Sequence, residues 1–184
     1  MRIIVGISGA SGVYMGYKLL KTLREESEYE IHLVVSPSAE KTWLLETDMD
    51  ISELFSLAHF VHSPDDMAAC ISSGSFKTEG MIILPCSMKT LAGIVSGYTE
   101  NLILRAADVC LKENRRLVIC PREMPLGKVH LRNMSEAASL GCTVIPPMLT
   151  FYNAPQTVDD QINHVIGKIL SQFGIEPKDY KTWK

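Results

Sequence analysis

Long hydrophobic runs are missing from this sequence. No stretch approaches the roughly 20 apolar residues a membrane span requires. Met1-Arg2 is followed by only three apolar residues before Gly6, far short of the apolar region of a secretory signal. Excess positive charge is missing too. The formal net charge is -3, and a general polyanion binder draws its affinity from basic phosphate contacts. Nucleic acid and membrane are therefore not expected as partners, whereas a local anion pocket is not excluded. Cysteine is sparse and odd in number, 5 in 184 residues. A secreted disulfide framework wants an even count in a shorter chain, so Cys70, Cys86, Cys110, Cys120 and Cys142 read as reduced thiols of a cytoplasmic protein. Zinc-type spacings are absent: His32, His59, His62, His130 and His164 form no H-E-x-x-H or Cys/His pattern. His59 and His62 stand three apart, but no third ligand is evident in the sequence, so no metal is expected. There is no G-x-S-x-G elbow, and Ser11 has no sequence-evident His or Asp partner for a hydrolase triad.

What is present is an average composition, 46% hydrophobic and 21% charged, at a length suited to one domain. No repeat, low-complexity tract or linker divides it, so residues 1–184 read as a single unit with a polar tail from about 174. Short β-branched runs alternate with amphipathic stretches. Strands are expected at 3–7, 31–35, 60–62, 81–84, 117–120 and 143–145. Helices are expected at 13–26, 38–46, 50–58, 90–95, 102–113, 130–140 and 158–173, with a helical turn at 66–71. Pro85, Pro121 and Pro146 are read as strand stops. This alternation predicts an α/β domain with a mainly parallel sheet, whose ligands bind beyond the carboxyl ends of the strands.

Three segments at those ends could carry chemistry. Ser8-Gly9-Ala10-Ser11-Gly12 follows a strand and opens a helix, so its backbone can approach a ligand and its N–H groups can meet an anion. With Gly6 the spacing is G-x-x-G-x-x-G, neither the dinucleotide fingerprint nor the NTPase loop. The second strand ends in Ser36, not in an acidic residue for a ribose. Both points favour a mononucleotide over NAD or ATP. Ser87-Met88-Lys89-Thr90 opens a helix after a buried strand, a cradle for phosphate or a polar ring edge or, equally, an N-cap with a surface lysine. Arg122-Glu123 offers an anion ligand beside a proton-transfer group, or a rim ion pair. Tyr152 could present a phenol to the same pocket or be a core tyrosine.

Taken in order, Gly6–Gly12, Leu45-Glu46-Thr47-Asp48, Ile71–Phe76, Leu84–Leu91, Arg105–Val109, Pro146-Pro147 and Phe151-Tyr152 closely resemble the UbiX/Pad1 flavin prenyltransferases, part of a wider FMN-binding, cysteine decarboxylase-like group. The likeness runs from about Ile4 to Tyr180. It implies a three-layer, Rossmann- or flavodoxin-like fold. It implies a reaction without metal, in which reduced FMN takes the prenyl group of dimethylallyl monophosphate at N5 and C6 and phosphate leaves. The prenylated flavin would then serve a UbiD-type decarboxylase. Relatives assemble as trimers stacked into dodecamers, with the site between subunits.

By motif, the resemblance puts Gly9, Ala10, Ser11, Ser36, Ser87, Met88, Lys89, Thr90 and Arg122 around FMN. Arg105, Lys112, Arg122, Glu123, Tyr152, Lys168 and Trp183 would surround the allylic phosphate, with Arg105 and Lys112 acting across an interface. Ser11, Glu46 and Glu123 would handle protons. Lys168 stands where bacterial relatives commonly carry arginine; it keeps the charge and loses the fork. The competing readings are an FMN-dependent decarboxylase and a flavin-carrier subunit. The cysteinyl decarboxylases carry a catalytic His after the first helix and a Pro-x-Met-Asn segment, whereas this chain has Pro121-Arg122-Glu123-Met124-Pro125, and no Asn follows Pro146-Pro147-Met148.

Overall fold

The computed structural model describes residues 1–183. Six strands form one all-parallel sheet: β1 (Arg2–Ile7), β2 (Glu30–Val35), β3 (Phe60–His62), β4 (Gly80–Cys86), β5 (Arg116–Pro121) and β6 (Thr143–Val144), in the order β3-β2-β1-β4-β5-β6. Seven helices connect or follow them: α1 (Val13–Glu26), α2 (Pro37–Glu46), α3 (Ile51–Ser56), α4 (Met88–Ser96), α5 (Leu102–Lys112), α6 (Lys128–Ser139) and α7 (Val158–Leu170). Short 3-10 turns lie at Cys70–Ser72 and Ser171–Phe173.

The apolar runs explain the layering. Side chains alternate across a strand, and both faces here are covered. Ile3, Val5 and Ile7 of β1 join Val118 and Cys120 of β5 in a core roofed by α1, α2 and α7. Ile4, Met81, Ile83, Leu117 and Ile119 point the other way, under α4, α5 and α6. A strand buried on both sides has no polar alternation to show, and this is why the central strands read as continuous β-branched runs. A fully buried Leu such as Leu20 or Leu117 contributes about 1.5–3 kcal/mol relative to its exposed form.

The chain leaves β1 toward β2 through α1, and later leaves β4 toward β5 through α4 and α5 on the opposite face. The order therefore reverses between β1 and β4, where open α/β sheets leave a crevice. Two proline stops were misread from the sequence. β4 continues through Pro85 to Cys86, with a register shift between Ile83 and Cys86, and β5 runs through Pro121. A proline lacks only the N–H, so a strand tolerates it where the ladder is locally irregular. The expected turn at 66–71 becomes the 3-10 turn at Cys70–Ser72, and the 50–58 helix shrinks to Ile51–Ser56, capped by Asp50.

Candidate active site

The crevice begins at Ser8, buried at the end of β1. Its Oγ donates to the Pro85 carbonyl (3.0 Å) and accepts from the Ser87 N–H (2.8 Å). One hydroxyl thus ties the β1–α1 turn to the β4–α4 turn across the switch point. Sequence reasoning placed Ser8 in the turn but did not assign it to the site. The available signal was a hydroxyl ending an otherwise apolar strand.

Three helix N-termini converge there. Ser87 caps α4, its Oγ accepting from Thr90 N–H at 3.2 Å and lying 3.0 Å from Thr90 Oγ1. Ser36 caps α2, accepting from Ala39 N–H at 3.2 Å. Gly12 opens α1 at φ 98, a conformation that disfavours a side chain. The α1 cap comes from a distance: the Glu46 carboxylate, at the end of α2, accepts from Gly12 N–H (2.8 Å) and Val13 N–H (3.3 Å). A carboxylate is stabilised at that positive end of the helix. Gly9 sets how closely the turns approach, since a Cβ there would lie 2.3 Å from Ser38 Cβ. The arrangement suits a flavin mononucleotide. Met88 and Lys89 begin α4, where N–H groups have no carbonyl to reach within the helix, and the Gly9–Ser11 backbone offers a surface free of bulky side chains. The Lys89 side chain itself turns outward to Glu100, 3.3 Å away.

The second part of the site follows β5 and β6. Arg122 and Glu123 are exposed in a cleft of about 490 Å³ together with Met124, Met134, Pro146 and Met148. The Arg122 N–H donates to the Cys86 carbonyl at 3.1 Å, fixing the β5 end against β4. Glu123 accepts from Met124 N–H at 2.9 Å. Pro146 and Met148 also wall a neighbouring cleft of about 430 Å³ that contains Tyr152, His164, Lys168, Tyr180 and Trp183. The Tyr152 hydroxyl lies 3.1 Å from His164 Nε2, and its ring meets Trp183 edge-on, centroids 4.9 Å apart. The tail turns back onto the domain: Tyr180 packs where Gly167 lacks a side chain, and Lys178 N–H donates to Glu26.

His164 was not foreseen as a site residue; its only sequence signal was its position four residues before Lys168 on α7. It is 6% exposed. Burial, and then the Lys168 charge, push its pKa down, so it meets Tyr152 as a neutral ring.

Two assigned residues do not reach this crevice within one chain. Arg105 pairs with Asp108 (2.8 Å) and donates to the Ser72 carbonyl (3.1 Å). Lys112 ends α5, immediately before β5 begins, and pairs with Glu113 at 2.8 Å. It lies at the amino edge of the sheet. Arg122 lies at the carboxyl edge, separated by the six-residue β5, about 20 Å at 3.3 Å per residue.

A family model described as Flavoprotein matches residues 1–172. A probable UbiX-like flavin prenyltransferase of Sedimentibacter hydroxybenzoicus is 62% identical over 184 residues, spanning 100% of this chain and 97% of that protein. The solved structure of AnUbiX (PadA1) in complex with FMN and dimethylallyl pyrophosphate is 46% identical, with a TM-score of 0.97 over 100% of this chain and 97% of that one. A dodecameric FMN-dependent UbiX-like decarboxylase from Escherichia coli O157:H7 is 52% identical, with a TM-score of 0.97 over 100% of both chains.

Proposed function

This chain belongs to the flavoprotein family and, within it, to the UbiX-like flavin prenyltransferases; on that premise we propose that it joins the dimethylallyl group of dimethylallyl monophosphate to N5 and C6 of reduced FMN, releasing phosphate. The carrying observation is the adjacency of two features at the carboxyl edge of the sheet. A backbone-lined cradle tied by Ser8 and Ser87 sits at the β1/β4 switch, and the Arg122/Glu123 cleft shares Pro146 and Met148 with the Tyr152/Lys168 cleft.

Bound reduced FMN supplies the electron-rich ring that accepts the prenyl group. The protein does the rest. Ser36, Ser87, Thr90 and the opening N–H groups of α4 hold and orient the nucleotide, with Gly9, Ala10 and Ser11 against it. Glu46 fixes the start of α1 and with it the Ser11 hydroxyl. Arg122, Lys168 and the Tyr152 phenol receive the charge that gathers on the departing phosphate, the kind of electrostatic stabilisation that dominates such steps. His164 holds the phenol in place. Holding the allylic carbon against the ring makes the attack effectively intramolecular, and the Trp183 tail covers the neighbouring cleft. The released phosphate takes the proton displaced at N5; Glu123 gives a proton to the prenyl double bond, so that its tertiary carbon can be bonded by C6, and takes back the proton displaced at C6. A second copy supplies Lys112 and Arg105, in an assembly like the dodecameric relative. The product serves a UbiD-type decarboxylase. All five cysteines are free thiols, which fits the reducing cytoplasm, where residues 1–184 act as one flavoprotein unit; among the described residues no helix is long and apolar enough to cross a membrane.

The test is phosphate release. With reduced FMN and dimethylallyl monophosphate, inorganic phosphate should appear only when both are present. Flavin binding without phosphate release would support the carrier reading instead, and carbon dioxide released from an aromatic or cysteinyl acid would support the decarboxylase reading.

A further inference from the structure

Away from the prenyl site, on the α5 side of the sheet, parallel pairing gathers three residues that are scattered in sequence. His32 of β2 and His62 of β3 lie on one face, two register positions apart, because Val34 pairs with His62. Cys70, in the following 3-10 turn, folds back over them. One ring nitrogen of His32, one of His62 and Cys70 Sγ all lie within 4.8 Å of one another. We infer that these three residues form a binding site for a thiophilic divalent transition ion such as Zn2+, separate from the flavin chemistry.

The argument rests on how His32 is held. Its ring is 2% exposed. Its Nε2 lies 3.0 Å from the Glu30 carboxylate. An ionised carboxylate can only accept, so Nε2 carries the proton and the Nδ1 lone pair is directed at His62 Nε2, 2.9 Å away. A carboxylate fixing the tautomer of a ligating histidine is the usual outer support of a metal site. Glu30 is itself steadied by Arg2 at 2.9 Å. Apolar walls complete the setting: Phe60 stacks on the His32 ring at 4.9 Å between centroids and Phe76 meets it edge-on at 5.1 Å.

The geometry needs little change. Zinc bonds nitrogen at about 2.0 Å and thiolate at about 2.3 Å in a tetrahedron. The two nitrogens must then part by roughly 0.4 Å from their present contact. His62 and Cys70 sit on the thin edge strand and a 3-10 turn, so they can adjust while His32 stays fixed. On binding, His62 moves its proton from Nε2 to Nδ1, and Cys70 gives its thiol proton to solvent, so that two neutral imidazoles and a thiolate bond the ion. Three protein ligands leave a fourth position for water, because Cys70 faces solvent. The ion would cross-link β2, β3 and the turn whose last residue, Ser72, accepts from Arg105. The sequence hid this set because His62 was compared with His59, its neighbour in the chain, whereas its partner lies 30 residues upstream.

Cobalt(II) titration of the full-length, reduced chain tests the inference. We expect saturation at one ion per chain, with a thiolate-to-cobalt charge-transfer band. Cys70→Ser should remove that band and weaken binding at least tenfold, and His62→Ala should abolish stoichiometric binding. Zinc should slow modification of Cys70 by a thiol reagent at least tenfold. FMN binding, which uses none of these residues, should be unchanged in both variants and reports their folding. Absence of saturable binding by the unsubstituted chain, or a cobalt spectrum indifferent to both substitutions, would overturn the site.

Discussion

Ser8 Oγ accepts the Ser87 N–H at 2.8 Å while donating to the Pro85 carbonyl at 3.0 Å. A single buried hydroxyl thereby joins the two turns that form the cradle. Ser8→Ala would leave a buried donor and acceptor partly unsatisfied, at a cost of about 1–3 kcal/mol. Urea unfolding should show that loss, and FMN affinity should fall with it. Ser8→Thr, which keeps the hydroxyl, should recover most of the affinity.

Glu46 is expected to separate two roles. As a helix cap, its loss in Glu46→Ala should lower stability by about 0.5–2 kcal/mol. Glu46→Gln keeps an oxygen for Gly12 N–H and should stay close to the unsubstituted stability. If Glu46 also moves protons, Gln should lower turnover in a protein that unfolds normally. Equal turnover for Gln and the unsubstituted chain would leave Glu46 a cap alone.

Gly9→Ala places a Cβ 2.3 Å from Ser38 Cβ. Relief requires the β1–α1 turn and the start of α2 to separate, a strain of about 1–3 kcal/mol. FMN affinity should drop more than thermal stability, as measured by flavin fluorescence titration beside thermal melting.

Lys112 and Arg122 stand at opposite edges of the sheet in one chain. Lys112→Ala and Arg122→Ala should each be inactive alone, Lys112→Ala through loss of prenyl-phosphate affinity more than of FMN affinity. Refolded together in equal amounts, they should regain activity at roughly a quarter of the sites, those pairing one intact Arg122 with a neighbour's intact Lys112 in a heterologous interface. No recovery would mean that Lys112 does not act from a second copy.

His164 gives a pH dependence with a definite sign. Its pKa is lowered from 6.5 by burial first and the Lys168 charge second. Above that ordinary value both folded and unfolded states are neutral and stability is unaffected. Below it the unfolded chain takes up the proton that the folded chain resists, so stability falls as pH drops, by at most about 1.4 kcal/mol per pH unit for one group. His164→Gln should flatten this component between pH 6.5 and the folded pKa, and should shift the KM for the prenyl phosphate more than that for FMN.

Much of this was legible in the chain. The apolar runs of β1, β4 and β5 and the Ser8–Gly12 turn announced a parallel sheet with a crevice at its carboxyl edge, because burial on both faces and small-residue turns leave direct marks on composition. The edge of the sheet that each residue occupies was not legible. Lys112 and Arg122 are ten apart in sequence and belong to opposite edges because β5 lies between them. Glu46 reads as an acid in a motif, and only the packing of α2 beside α1 makes it a cap. Pro85 and Pro121 read as stops because proline lacks an N–H, yet the irregular end of the β4–β5 ladder accommodates both.

The most direct measurement is the mass of the flavin. Under anaerobic conditions, the chain incubated with reduced FMN and dimethylallyl monophosphate and then denatured should release FMN heavier by one C5H8 unit. Recovery of FMN at its original mass, from protein that has bound both molecules, would contradict the account.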